Sequence, residues 1–235
     1  MFKKIILIIY LFTSFCNSQT LKEGWNTFDG YIFENDVVVN IYCDSIGNLT
    51  GDYCYKKEET RIPLKGKLKG STIILDEFTD NKITSEFSGK IDAEKNIITG
   101  KWMSTTHSDK VFFLKLESWT GGNLENRYAF GINEEIEQFF KKIKSSIVND
   151  DKIWLSKNIQ LPLNVNFGKK KIKIKNQKQF ITNYSKIMSE SFKKRIKESC
   201  ICNIFSNSHG AMITNGAIWI NEFDEHHLKI TAINN

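Results

Sequence analysis

The sequence predicts an all-β antiparallel meander, closed as a barrel of about eight strands, followed by an α+β unit. Three observations carry this. Between Phe28 and Ser118 the chain alternates strand-length β-forming runs with turn-forming clusters. From Asn133 onward apolar residues recur at helical spacing before a second set of strands begins. The stretch between them, 119–132, contains Gly121, Gly122 and Gly131 and reads as a linker. The expected division is a leader over 1–19, a barrel over 20–118, the linker, and the α+β unit over 133–235.

The leader carries Lys3 and Lys4, then an apolar core over 5–12 that is too short for a stable membrane anchor, then Cys16-Asn17-Ser18 as a small-residue cleavage region. This predicts export, to the periplasm or the exterior. Lipid anchoring at Cys16 is the lesser alternative, because the bulky Phe15 stands where acylation signals place a small residue. About 215 residues remain, enough for two cores.

Strands are expected over 28–33, 37–43, 49–55, 61–68, 71–77, 83–91, 97–103 and 111–116. In the fourth, Ile62, Leu64, Gly66 and Leu68 alternate with Arg61, Pro63, Lys65 and Lys67, giving one dry face and one wet face. Short loops make consecutive strands antiparallel neighbours, and eight can close with no free edge. Tyr53, Phe87, Trp102 and Phe113 are the expected interior filling.

A helix starts near Asn133 as its cap, with Glu134 and Glu135 at the positive end and Lys141, Lys142 and Lys144 toward the negative end. Ile136, Phe140, Ile143 and Ile147 form its buried stripe. A short helix follows from Asp150 to Trp154, and then a hairpin around Gly168. Asn176 with Gln179 resembles a capping box opening one long helix that carries Phe180, Tyr184 and Ile196. The remaining strands fall over 201–205, 211–214, 217–220 and 227–233, with Asn215-Gly216 as a two-residue hairpin signal.

The formal charge is +6, or about +4 once the two leader lysines are removed, and only Arg61, Arg127 and Arg195 are arginines. Nucleic-acid binding would want clustered cations interleaved with stacking aromatics. The densest run, 169–175, instead alternates lysines with Ile172 and Ile174 and reads as a lysine-protected strand edge. No stretch after the leader is long enough for a transmembrane span.

Without Cys16 four cysteines remain. A turn near 45–48 brings the strand of Cys43 against that of Cys54, and the odd sum of the positions suggests one shared face, hence a Cys43–Cys54 disulfide. Cys200 and Cys202 are read on one strand face, as buried thiols or a strained bridge. Metal binding there would need two further ligands, and the sequence nominates no metal and no cofactor.

In the first half, the turn and strand Gly47-Asn48-Leu49-Thr50-Gly51-Asp52-Tyr53 is similar to the glycine-containing hairpin of avidin-like or lipocalin-like barrels. That resemblance implies an up-and-down barrel with a small ligand at its mouth, or one filled by its own side chains. The second half, by its order of helix, helix, hairpin, long helix and meander, resembles the NTF2-like cone, the fold of ketosteroid isomerases and many non-catalytic pocket proteins. That implies a curved sheet around an apolar cavity.

Met212, Thr214, Ala217 and Trp219 are expected on one face of the late hairpin, and Ala211, Ile213, Ile218 and Ile220 on the other, with no carboxylate pointing inward. His226 and His227 are adjacent and point apart on a strand. Tyr184, His209, Met212 and Trp219 are the candidate ligand-binding residues, and no catalytic set is nominated.

Three functions follow. The leading one is an exported, non-enzymatic binding or interaction protein, recognising a small molecule or an envelope protein. The second is an NTF2-like enzyme on a small apolar substrate, using Tyr184, His209 and Asp150. The third is an envelope inhibitor or immunity protein against a wall-degrading enzyme. All lean on a pair of hollow, independently packed shells whose linings lack reactive groups.

Overall fold

The computed structural model describes residues 21–104, 106–224 and 227–235. The export leader, the Cys16 alternative and His226 lie outside these residues. The first half is a closed antiparallel meander of eight strands. They are β1 (Gly24–Ile32), β2 (Asn35–Cys43), β3 (Asn48–Tyr55), β4 (Arg61–Lys69), β5 (Thr72–Thr79), β6 (Lys82–Asp92), β7 (Ile97–Ser104) and β8 (Lys110–Thr120). Closure comes from β1, which pairs with both β2 and β8.

The interior is packed rather than hollow: Tyr53, Phe87 and Phe112 meet edge to face at 5.3 Å between ring centres, over Phe28, Leu49, Leu64, Ile73, Leu75 and Ile98. Phe113, expected inside, points out and stacks on Tyr31. Its neighbour Phe112 takes the interior place, because the pleat sends adjacent residues to opposite faces.

The second half contains α1 (Asn133–Val148), α2 (Lys152–Lys157), β9 (Ile159–Phe167), β10 (Lys170–Ile174), α3 (Gln177–Thr182), α4 (Tyr184–Ile187), α5 (Glu190–Glu198), β11 (Phe205–Asn207), β12 (Gly210–Ile213), β13 (Ile218–Phe223) and β14 (His227–Asn234). Its six strands run in the order β10-β9-β14-β13-β12-β11, with β14 and β9 parallel and the other pairs antiparallel. The lysine-rich 169–175 run supplies β10, an edge strand, as its alternation implied. The stripe Ile136, Phe140, Ile143 and Ile147 is buried against Leu163, Val165, Ile213, Ile218 and Ile220 of the sheet. Among the described residues no helix is long and apolar enough to cross a membrane.

Several local expectations are corrected. Asn133 does not cap α1: its amide donates to Glu125 O and accepts from Tyr128 N–H, so it fastens the linker instead. The single long helix is three. α3 ends at Asn183, and Ser189, with extended backbone, restarts the chain by accepting the Phe192 N–H. The capping pair at its start is present, with Asn176 accepting from Gln179 N and Gln179 accepting from Lys175 N. The late hairpin turns through Thr214–Ala217, four residues rather than two, because Ile213 pairs with Ile218.

The Cys43–Cys54 bridge is also corrected. Asp44 accepts from Ile46 N–H and Asn48 N–H at 3.0 and 2.7 Å, which fixes a connection pairing Cys43 with Leu49 and Val38 with Cys54. Partners therefore share parity, so Cys43 enters the barrel while Cys54 faces out. Cys54 bonds Cys202, 148 residues away, and Cys43 is free. Cys200 and Cys202 lie in the irregular segment 199–204, not on a strand.

The glycine pair Gly89–Gly100, facing across β6 and β7, admits the Phe112 ring. A Cβ on Gly100 would come to 2.1 Å from Ser88 O and 2.9 Å from that ring. Gly100→Val is therefore expected to destabilise the protein by about 1–3 kcal/mol through overpacking, measured as a lowered urea midpoint at unchanged slope.

Candidate functional site

The outer face of β2 and β3 is dry. Val38 and Cys54 point away from the barrel interior yet have no exposed surface, because the second half lies over them. Beside them Asn40 and Asp52 face the same way. Asp52 pairs with Arg61 at 2.6 Å and with Arg127, and it accepts from the Asn40 amide at 3.4 Å. Glu137 of α1 holds Arg61 with both carboxylate oxygens, at 2.9 and 3.1 Å, and accepts from the Tyr128 hydroxyl at 2.9 Å. The Arg127 guanidinium lies 4.4 Å above the Trp25 ring. Two carboxylates and two guanidiniums thus join β3, β4, the linker and α1.

A second fastening lies alongside. Glu59, in the β3–β4 connection, accepts from Lys144 Nζ at 2.8 Å and from Ile201 N–H at 3.0 Å. Lys144 also donates to Ser199 O at 2.7 Å. The segment 199–204 is thereby held by α1 and the barrel together, with the Cys54–Cys202 bond at its centre.

Next to this junction a groove of about 300 Å³ opens between the barrel flank and the sheet face that the helices leave uncovered. Asp29 and Lys56, paired at 2.7 Å, form the barrel side. Phe205 and Met212, cross-strand neighbours on β11 and β12, form the sheet side, and Cys200 lies between. Asp29, Tyr31 and Phe113 share the outer face of β1 and β8, and Tyr31 and the nearby Phe33 and Val111 are exposed. The groove therefore runs toward an apolar patch of the kind that marks interaction sites.

The expected site residues divide between regions. Met212 and Trp219 are cross-strand partners on the uncovered face, and Met212 lines the groove. Tyr184 is buried on the opposite, helix-covered side, its ring beside Phe180. Its hydroxyl makes no hydrogen bond of good geometry, and burial, then the Asp150 charge, push it above the ordinary phenol range. Asp150 is pulled down by its hydrogen bond from Lys193, at 2.7 Å. His209 occupies an exposed turn, its N–H bound by Asn207. These residues do not converge on one site.

The barrel lining carries an ionisable group that the sequence analysis missed. Glu77, 8 % exposed, accepts from Tyr53 OH at 2.8 Å, Trp102 Nε1 at 3.0 Å and Thr84 Oγ1 at 3.1 Å. Parity exposes it, since Ile73, Leu75 and Glu77 share a face of β5. Its donors come from β3, β6 and β7 of the barrel wall, so the expectation of a lining without ionisable groups does not hold for the barrel. The junction arginines also had a signal: in a chain whose cations are nearly all lysine, arginine stands where two-pronged carboxylate geometry is needed.

Replacing Arg127 by Ala removes one of the two guanidinium partners of Asp52 and leaves Arg61 in place, so it is expected to cost about 1.5–3 kcal/mol, measured by chemical denaturation. Replacing Glu77 by Ala leaves the Tyr53 and Trp102 donors without their acceptor and is expected to cost roughly 1–3 kcal/mol for each buried group. Alkaline stability follows from sign. Burial pushes the Cys43 thiol up to about 11 and raises Tyr53, Tyr55, Tyr128 and Tyr184. Acids raised in the fold stabilise it below their unfolded values, and that contribution is lost as pH rises through the folded values. Melting temperature should fall from about pH 9 to 11, with tyrosinate absorbance lagging that of the unfolded chain.

No known protein family, no curated protein and no solved structure matches this chain.

Proposed function

We propose that this chain is an exported, non-enzymatic interaction protein that recognises a protein partner through the junction groove and the adjoining barrel flank. The observation that carries this reading is the joining of Phe205 and Met212, on an uncovered sheet face, to an exposed patch of Tyr31, Phe33 and Val111 on the barrel. Half-buried Met and aromatic side chains beside a charged rim suit a protein surface. Both hydrophobic cores are filled by their own side chains, which favours a surface over an enclosed ligand. The disulfide agrees with an oxidising compartment and hence with export.

In this reading the second half is an NTF2-like cone whose helix-facing side is packed rather than open, and the first is an avidin-like or lipocalin-like barrel. The order of elements supports the former and the closed eight-strand meander the latter. The barrel, linker and α+β unit are taken as structural divisions of one body, because the ion-pair cluster and the disulfide tie them together.

Tagged protein is used to recover partners from culture supernatant and envelope extract. A stoichiometric protein partner lost with Met212→Lys or Tyr31→Glu, both at half-buried or exposed positions, is the expected result. A small molecule that co-purifies at one equivalent by native mass spectrometry and is retained by both variants would overturn it.

A further inference from the structure

We propose that Cys54, Cys200 and Cys202 form a thiol–disulfide exchange site in which Cys200 competes with Cys202 for Cys54. The three sulfurs lie within 4.8 Å of one another. Cys54 is bonded to Cys202, and the free Cys200 sulfur is 3.9 Å from that of Cys54. Cys43, the other free thiol among the described residues, sits inside the barrel with a different set of neighbours. The cluster thus holds one more sulfur than a single bridge uses, in a place where the third is next to the bond.

The surroundings suit exchange. Cys200 and Cys202 are two residues apart in a segment without regular structure, so swapping them requires side-chain rotation and a small local shift rather than unfolding. The Cys202 N–H donates to the Cys200 sulfur at 3.2 Å, which favours its thiolate. Lys144 favours that thiolate too, while burial and Glu59 oppose it and leave the thiol raised overall, so the step is slow rather than forbidden. The Cys200 side opens on the junction groove, and the Cys202 side on a separate cleft of about 330 Å³ lined by Glu59, Arg61, Glu137 and Lys141.

The chemistry balances without an external oxidant. Cys200 loses its proton to solvent and its thiolate attacks the Cys54 sulfur. The Cys200–Cys54 bond forms as the Cys54–Cys202 bond breaks, and Cys202 leaves as a thiolate that takes up a proton. Arg61 and Lys141 line the cleft into which that leaving sulfur turns. The count of one disulfide and one thiol is unchanged, but the free thiol moves from the groove to the opposite cleft.

The test keeps the folded full-length protein at pH 8 with a trace of small-molecule thiol. It is then quenched in acid, alkylated and digested without reduction. Fragmentation of the peptide bearing both residues shows whether Cys200 or Cys202 carries the label. Label on both, with the Cys202-labelled form above about one tenth of the total, is expected from near-equivalent partners; label on Cys200 alone overturns the proposal. Independently, Cys202→Ser prepared in air should contain a Cys54–Cys200 bond and melt within a few degrees of the parent. If both Cys54 and Cys200 remain alkylatable in that folded variant, the proposal also fails. Should the variant not fold, the wild-type labelling alone decides.

Discussion

The buried charge cluster of Asp52, Arg61, Arg127 and Glu137 is the constraint on which the relation between the two halves depends. It occupies the one face of the barrel wall that is both outward and dry. Ion pairs taken out of water gain little net stability over apolar contacts, but their directional bonds penalise every other arrangement of the same surfaces. Arg61 shows this: one prong reaches along the barrel to Asp52 and the other crosses to Glu137 on α1. A shift of α1 by one turn would take Glu137 away from Arg61 and Tyr128, while Asp52 would keep its partners on the barrel and linker. The Cys54–Cys202 bond beside it closes a loop of well over a hundred residues, which restricts the unfolded chain strongly.

With the halves locked together, both interiors become ordinary cores. The barrel is filled by an edge-to-face aromatic stack, and Glu77, an acid on its inner face, is satisfied by three donors. The helices cover one face of the second sheet and leave the other, with Met212 and Trp219, open beside the barrel. Its edges are guarded differently. β10 carries lysines, and β11 is only three residues long and lies near β8. Both edges are thereby blunted against pairing with another strand.

Much of this was legible in the order of residues. All eight barrel strands follow from alternation and turn chemistry, and the buried stripe of α1 follows from its 3.6-residue period. Phe113 shows where that legibility ends. Two adjacent aromatics compete for one inward place, and only the register of β8 against β1 and β7 assigns it to Phe112. Val37, Val38 and Val39 form an uninterrupted apolar run, which is the mark of a strand covered on both faces. That run, together with the rare arginines, was the sequence-level trace of the junction.

By itself the sequence determined the eight barrel strands and the apolar stripe of α1, because those properties arise from neighbours a few residues apart, but not the breaks that divide 177–198 into three helices or the irregular course of 199–204. The tertiary structure decided the pairing of Cys54 with Cys202, the partners of Arg61 and Arg127, and the separation of Tyr184 from Met212. The first turned on a loop in which Asp44 sets the β2–β3 register, moving Cys43 inward and Cys54 outward. The others required groups far apart in the chain to meet, and no local period encodes which distant surface will exclude water from a given face.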